Sequence, residues 1–391
     1  MADNTTPKLR VMATLTWLAP GGGVDHAVAN TFKSLAGRYH FMLGVGSTIE
    51  HNEFENLHIP IFQCPYMHRQ ISPLADLRSV WYFYKLFKRI KIDILHTHEA
   101  KASVVTRIAA WMADVPVIIF GLEGVTFNDP LHPLKRKFYI FIERCTIWMN
   151  HFIIPVGKDT IDQYHLNGLA KQIPYEIVYS GIDTEVFIKQ DRDKLRQQMR
   201  RKLNFLPDQI VLINIGRFST GKNQRALIEM MPTLRATNPQ LLLILVGEGE
   251  EMENCQTLAQ TLGIADGIQF MGHSQEIPTL LYAADIFVFS SHREGLPRVL
   301  VEAGMCRLPV VTYEVEGATE IIENRSSGYI IAKGDKQDFI AKTLALAADP
   351  QLRKQFGENL FNFVHIKWDV KQMATKLDHI YQKLFYTQTL S

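Results

Sequence analysis

Short apolar runs rich in β-branched residues alternate with helix-length amphipathic segments along the whole chain. In the first half, "LRVMATLTWL", "IDILHTH", "VPVIIF", "HFIIPVG" and "YEIVYSG" read as strands buried on both faces. Helix-like segments such as "LADLRSVWYFYKLFKRIK" and "KASVVTRIAAWMA" lie between them. The second half repeats the rhythm with "QIVLINIG", "LLLILVGEG", "IQFMG", "IFVFSS", "LPVVTY" and "GYIIA". Strand–helix alternation with runs this apolar predicts parallel sheets covered by helices, one doubly wound α/β domain per half. The expected boundaries are 1–186, 187–366 and a tail, 367–391, that packs back on the first domain.

The join carries "KQDRDKLRQQMRRK", a sharply charged stretch that suits a surface linker entering a helix. Its Asp-x-Asp (Asp191, Asp193) could pass for a metal motif, but no strand delivers it to a sheet edge, so it reads as a solvated helix start. In open parallel sheets ligands sit at the carboxyl ends of the strands. The site is therefore expected in loops that leave strands and enter helices, facing a cleft between the two domains.

Those loops hold the candidate chemistry. "APGGGVDHAV" follows the first strand, and Gly22 and Gly23 leave the backbone open to a phosphate or sugar. A plain flexible loop explains the same glycines, and the pattern is not the G-x-G-x-x-G of dinucleotide sites. "DILHTHEAKA" puts His96 and His98 two apart at a strand end. His96 suits the core, while His98 and Glu99 stand at the loop entrance. "NIGRFSTGKNQ" places Gly216, Arg217 and Lys222 where a strand turns into a helix, which suits a diphosphate clamp and also suits two ordinary surface cations. "SHREGLPRVLVEAG" sets Glu294 in a loop, Pro297 in the first turn of a helix and Glu302 more than a turn inside it. Helical spacing does not pair the two carboxylates, so they read as two grips on one ligand.

Composition narrows the class. The 391 residues are 47% hydrophobic and 21% charged with a net charge of +2, which points to no nucleic-acid partner. Four scattered cysteines without C-x-x-C spacing fit a reducing cytoplasm, and no metal site is expected. The N-terminus lacks an apolar signal core, and no apolar run is long enough to span a bilayer. "VWYFYKLFKRIK" and "PLKRKFYIF" mix aromatic and basic residues, which fits solvated amphipathic helices and also fits peripheral docking on the inner face of the cytoplasmic membrane.

Taken in chain order, "YSGID", the Gly-Arg…Lys pair, "AADIFVFSS" and the Glu294–Glu302 motif followed by "LPVV" resemble the retaining family-4 glycosyltransferases (glycosyl transferases group 1). The resemblance covers nearly the whole chain and is nearest to members that build bacterial surface polysaccharides. It implies the GT-B fold, two Rossmann-like domains with a cleft between them, and retaining transfer from a nucleotide diphosphate sugar to a glycan or lipid-linked acceptor. It assigns Glu294 to the transferred sugar's hydroxyls, the amides of Gly295 and Leu296 to sugar and distal phosphate, and Glu302 to the ribose. Arg217 and Lys222 would neutralise the leaving diphosphate in place of a metal, Gly22 and Gly23 would close on it, and His98 would lie near the reacting carbon. A UDP-sugar is expected ahead of a GDP-sugar, with base contacts near Gly272 and His273. A nucleotide-sugar epimerase of the same fold and a degenerate nucleotide-sugar-binding protein are the rivals. Three departures stand out: "GGVDH" in the first loop, "FGLEGVTF" where a histidine–glycine loop is usual, and Arg307 where a glycine ends the helix.

Overall fold

The computed structural model describes residues 8–18, 23–49, 54–128, 132–188 and 191–390. They form two compact α/β units. One contains the chain up to Ile182 and again from Val370; the other is Asp183–Asp369.

The first unit has strands β1 (Arg10–Leu18), β2 (His40–Ile49), β3 (Ile61–Gln63), β4 (Ile94–Thr97), β5 (Val117–Leu122) and β6 (Phe152–Pro155). Its helices are α1 (Gly23–Ser34), α2 (Pro73–Ile90), α3 (Ala100–Met112), α4 (Pro133–Thr146) and α5 (Lys158–Leu166). The second has α6 (Glu185–Ile188), α7 (Arg192–Lys202), β7 (Ile210–Ile215), α8 (Gln224–Thr237), β8 (Leu241–Val246), α9 (Met252–Thr261) and β9 (Ile268–Gly272). It continues with α10 (Ile277–Ala283), β10 (Ile286–Phe289), α11 (Arg298–Met305), β11 (Val310–Tyr313), α12 (Ala318–Ile321), β12 (Gly328–Ile331), α13 (Lys336–Ala348) and α14 (Pro350–Val364). The last helix, α15 (Val370–Leu390), returns to the first unit.

The sheet orders are β3-β2-β1-β4-β5-β6 and β12-β11-β10-β7-β8-β9, with parallel pairing throughout. Numbered from its own first strand, the second sheet has the same order as the first. Each is doubly wound, and each reverses direction between its first and fourth strands, β1/β4 and β7/β10.

Alternation along β1 shows how the strands earn this position. Val11, Ala13 and Leu15 join the core made with α1 and α15, while Met12 joins the one made with α2 and α3. Met373, Leu377, Ile380 and Tyr381 complete the first of these cores, so α15 covers a sheet face that would otherwise be wet. Asp191 caps α7 by accepting from the Lys194 N–H at 3.1 Å; the Asp-x-Asp is a helix start.

Four expectations are corrected. "YEIVYSG" is not a strand: only Tyr175 bridges to Ile153, and the apolar pattern reflects burial of Val178 in the α1/α15 core. β2 and β3 go unflagged by periodicity because β2 carries Gly44 and Gly46 and β3 is three residues long. Pro297 is the residue before α11 rather than in its first turn. The chain crosses between units at 182/183 and 369/370, not at 186/187 and 366/367. There the Val370 N–H donates to Ile182 O at 3.0 Å, Thr184 donates to the Asp369 carboxylate, and the Tyr282 hydroxyl ties down Phe187 O at 2.6 Å.

Arg307 ends α11 in the left-handed region, φ 56°, with its N–H on Gly304 O at 2.9 Å and the next N–H on Ala303 O at 3.0 Å. The helix end is the ordinary one, and the cation faces α14. Its Nε donates to Glu358 at 2.9 Å and its guanidinium lies 3.8 Å over the Phe361 ring. Arg307→Ala keeps the strained backbone and loses both contacts, an expected cost of about 1 kcal/mol for a half-exposed pair plus a cation–π contact. Arg307→Gly loses the same contacts but relieves about 1 kcal/mol of left-handed strain, so urea unfolding should find it the more stable variant.

Candidate active site

Both direction changes carry polar side chains, as open parallel sheets require. In the second unit, Asn214 near the end of β7 donates to Val288 O of β10 at 2.9 Å, which joins the two strands where the loops diverge. Beyond β7 the chain runs through Gly216 and Arg217 to Lys222, then to Asn223, whose left-handed backbone (φ 54°) starts α8. Beyond β10 it runs through Ser290 and Ser291 to Glu294. The loops are laced together: the His292 N–H donates to Gly221 O at 2.8 Å, and the Ser290 hydroxyl to Asn223 O at 2.8 Å.

This lacing brings Lys222 and Glu294 together. Lys222 Nζ lies 2.6 Å from Glu294 Oε1, and the Ser291 hydroxyl donates to the same oxygen at 2.6 Å. The Lys222 side chain keeps 30% of its surface exposed and Glu294 12%. The ammonium also lies 5.7 Å from the Phe289 ring centre. A charge pair that is partly wet can exchange partners; a dry one could not without a large desolvation cost.

Arg217 stands apart from this pair. Its half-exposed guanidinium approaches Glu250 at 3.4 Å. The Gln224 amide donates to Gly216 O at 3.2 Å and to Arg217 O at 3.0 Å, fixing the backbone under both residues. Gly272 ends β9 with φ 66°, and the next amide, His273 N–H, donates to Glu248 at 3.2 Å.

Glu294 lies in the loop and Glu302 inside α11, half-buried. The loop between them is braced by Gly317, which has φ 75°. A Cβ on Gly317 would stand 2.9 Å from Gly295 O and 3.2 Å from the Leu296 Cα. Sequence reading singles out neither Ser291 nor Gly317; the "EGAT" turn was the available signal for the second.

In the first unit the β1/β4 change of direction holds a buried polar cluster. His96 and His98 face the same side, ring centres 4.2 Å apart. His96 is a core residue, its Nδ1 bonded to the Tyr381 hydroxyl at 2.8 Å. His98 is buried too, with Nδ1 against Glu123 Oε1. Glu123 Oε2 accepts the Glu99 N–H at 3.1 Å, and Glu99 accepts the Thr16 N–H at 2.6 Å. Glu99 takes φ 59°, ψ 152°, a backbone region costly for any residue but glycine. Burial pushes Glu123 up to about 8 and Glu99 up to about 7, and pushes His98 down to about 3. Gly22 lies outside the described residues; Gly23 is the first residue of α1. Among the described residues no three His, Cys, Asp or Glu side chains gather as a metal site.

Residues 196–363 match the model of "Glycosyl transferases group 1", and residues 22–181 that of "Glycosyl transferase 4-like domain". The chain belongs to the group 1 glycosyltransferases. As a member it is a hexosyltransferase-type enzyme of the GT-B fold, and no comparison favours an epimerase. It is 25% identical over 328 residues (82% of this chain, 83% of the relative) to the Escherichia coli UDP-Gal:alpha-D-GlcNAc-diphosphoundecaprenol alpha-1,3-galactosyltransferase. It is 25% identical over 321 residues (81% and 83%) to the capsular polysaccharide biosynthesis glycosyltransferase CapM of Staphylococcus aureus. Anabaena HepE, solved in complex with UDP, superposes with a TM-score of 0.81 at 20% identity over 96% of this chain and 100% of its own.

For this glycosyltransferase the Gly317 brace is open to test. Gly317→Ala adds left-handed strain, about 1–2 kcal/mol, and a contact that must displace Gly295. Gly263→Ala adds the strain alone, since its Cβ would meet nothing within 4 Å. Thermal unfolding should therefore lower the Tm of Gly317→Ala further than that of Gly263→Ala.

Proposed function

We propose that the enzyme transfers a hexose from a UDP-sugar, with retention of configuration, to a glycan or lipid-linked glycan in bacterial surface-polysaccharide synthesis. The observation that carries this reading is the Lys222–Glu294 pair at the β7/β10 change of direction in a group 1 glycosyltransferase. The second unit is the nucleotide-sugar-binding one. Without a donor, ammonium and carboxylate satisfy each other. On binding, the diphosphate takes the ammonium, and the sugar's hydroxyls donate to the released carboxylate. Ser291 stays on Glu294 Oε1 and keeps that carboxylate in place.

The remaining roles follow the family pattern residue by residue. Arg217 supports the diphosphate, the amides of Gly295 and Leu296 approach sugar and phosphate, and Glu302 takes the ribose hydroxyls. Gly216 and Gly272 line the donor's path, the latter near the base. Gly22, Gly23 and His98 of the first, acceptor-side unit serve the reacting end. Leaving-group charge is then met by fixed cations, so the reaction needs no divalent metal. The UDP preference is supported by the nucleotide held by HepE and the donor named for the E. coli relative.

A cytoplasmic location with peripheral membrane contact is part of the proposal. No helix among the described residues is long and apolar enough to cross a membrane. On α4, Leu134, Phe138 and Phe141 form an exposed stripe at helical spacing, continued by Trp148 and flanked by Lys135 and Lys137. Cations beside exposed aromatics suit an anionic bilayer.

Thermal shift should show stabilisation by UDP and UDP-hexoses ahead of GDP and its sugars. Lys222→Ala and Arg217→Ala should each lower kcat by about 10²–10³, the scale of losing one charge-stabilising donor. Activity that chelator abolishes and manganese restores would sink the metal-free reading. Phe138→Glu/Phe141→Glu should weaken salt-sensitive sedimentation with phosphatidylglycerol vesicles; a wild-type chain that ignores such vesicles at low salt would rule the docking out.

A further inference from the structure

Glu123 is the first residue beyond β5, and β5 pairs with β4, so it stands beside His98 at adjacent strand ends. The contact leaves no room for a side chain on Gly121. A Cβ there would lie 2.8 Å from His98 Nδ1, 3.0 Å from Glu123 Oε1 and 3.1 Å from His96 Nε2. The two carboxyl oxygens have different neighbours. Oε2 accepts a backbone N–H, from Glu99, and needs a lone pair for it. Oε1 faces a ring nitrogen, which can either accept or donate. If Glu123 is neutral, its proton has an acceptor only on the Oε1 side. His98 Nδ1 then accepts, and the imidazole proton is on Nε2. If Glu123 is ionised, the pattern reverses: Nδ1–H donates and Nε2 presents a lone pair. No described residue bonds Nε2.

We propose that Glu123 is a positioning residue which, as the neutral acid, holds His98 in its Nε2–H tautomer and makes it a hydrogen-bond donor to an oxygen of the bound sugar donor. This rests on the assignment of His98 to the reacting end of the ligand. The surroundings favour the neutral form. His96 lies behind His98 and is itself kept uncharged by burial, with the Tyr381 hydroxyl from α15 beyond it. Glu99 is a neighbouring carboxyl that interacts with Glu123, and Arg69 is the cation that acts on Glu99; Tyr164 of α5, itself beside Glu143 and Arg107, also interacts with Glu123, and Thr16 of β1 holds Glu99. Burial pushes the Glu123 carboxyl up, outweighing the Glu99 N–H and Glu123's own N–H, which favour the anion, and it pushes the His98 imidazole down, so near neutrality the pair carries no charge. The same logic keeps a carboxylic acid protonated as a donor in apolar enzyme sites.

Glutamine copies the neutral acid. Its oxygen accepts the Glu99 N–H and its amide donates to Nδ1, but it cannot ionise. The test uses the full-length 15N-labelled chain and long-range 1H–15N correlation spectra, with His98→Asn to assign the ring. Near neutrality the wild type and Glu123→Gln should both show His98 as the Nε2–H tautomer. As pH rises through about 8, the wild type should convert to Nδ1–H and Glu123→Gln should not. In transfer assays Glu123→Gln should stay near wild-type turnover and lose the alkaline fall in kcat. Glu123→Ala should lose roughly 100-fold, within the range of a proton-handling partner. Glu99 titrates in a neighbouring range, and a limb that persists in Glu123→Gln belongs to it. Nδ1–H at neutral pH in the wild type, or Glu123→Gln as impaired as Glu123→Ala, overturns the proposal. The tautomer is read without any transfer, so its failure is separate from a failure of the substrate reading.

Discussion

A parallel sheet covered on both faces leaves its inner strands no wet side, and this constraint governs both units. Backbone groups pair within the sheet, and side chains on either face must be apolar or bonded in place. The buried Thr14 and Thr106 hydroxyls meet at 3.0 Å for this reason, as does the Asn214 amide with Val288 O. Chemistry is displaced to the carboxyl ends, and among them to the two places where the strand order reverses and adjacent loops part. His98, Glu99 and Glu123 occupy one; Lys222, Ser291 and Glu294 occupy the other.

The two ends answer the same constraint with different electrostatics. At β7/β10 the ammonium and the carboxylate each have an opposite partner and some water. At β1/β4 no cation among the described residues pairs with the His98–Glu123 contact, and removing the charge costs less than burying it. The first arrangement suits a ligand that brings charge, since one ion pair is traded for another. The second suits neutral hydrogen bonds with a fixed direction, which a sugar hydroxyl or phosphate oxygen can read.

Legibility in the sequence follows from these differences. Short apolar runs bounded by turn residues announce strands, and all six strands of the second unit were readable, the half-buried β9 and β12 included. β2 was not, because its glycines dilute the pattern, and "YEIVYSG" misled because burial and strand pairing leave the same trace. Spacing and residue type marked Arg217, Lys222, Glu294 and Glu302 as candidates; that Lys222 meets Glu294 while Arg217 turns to Glu250 was not legible, because it depends on how two loops are laced. Ser291 and Gly317 act through a hydroxyl position and a missing Cβ, neither of which periodicity registers. Glu123 was visible only as a departure within "FGLEGVTF". Its meaning depends on β4 and β5 being neighbours, which is a fact of topology and not of local sequence.

Arg307 shows how residue type and role can come apart. A cation two residues past α11 invites a part in binding a diphosphate. The structure turns it instead toward Glu358 and Phe361, where it ties α11 to α14. That link bears on the site indirectly. Glu302 rides on α11, while Glu294 is held by Lys222, Ser291 and the loop that Gly317 braces. The two carboxylates are thus positioned by separate means, one by helix packing and one by hydrogen bonds at a strand end. A shift in one need not move the other.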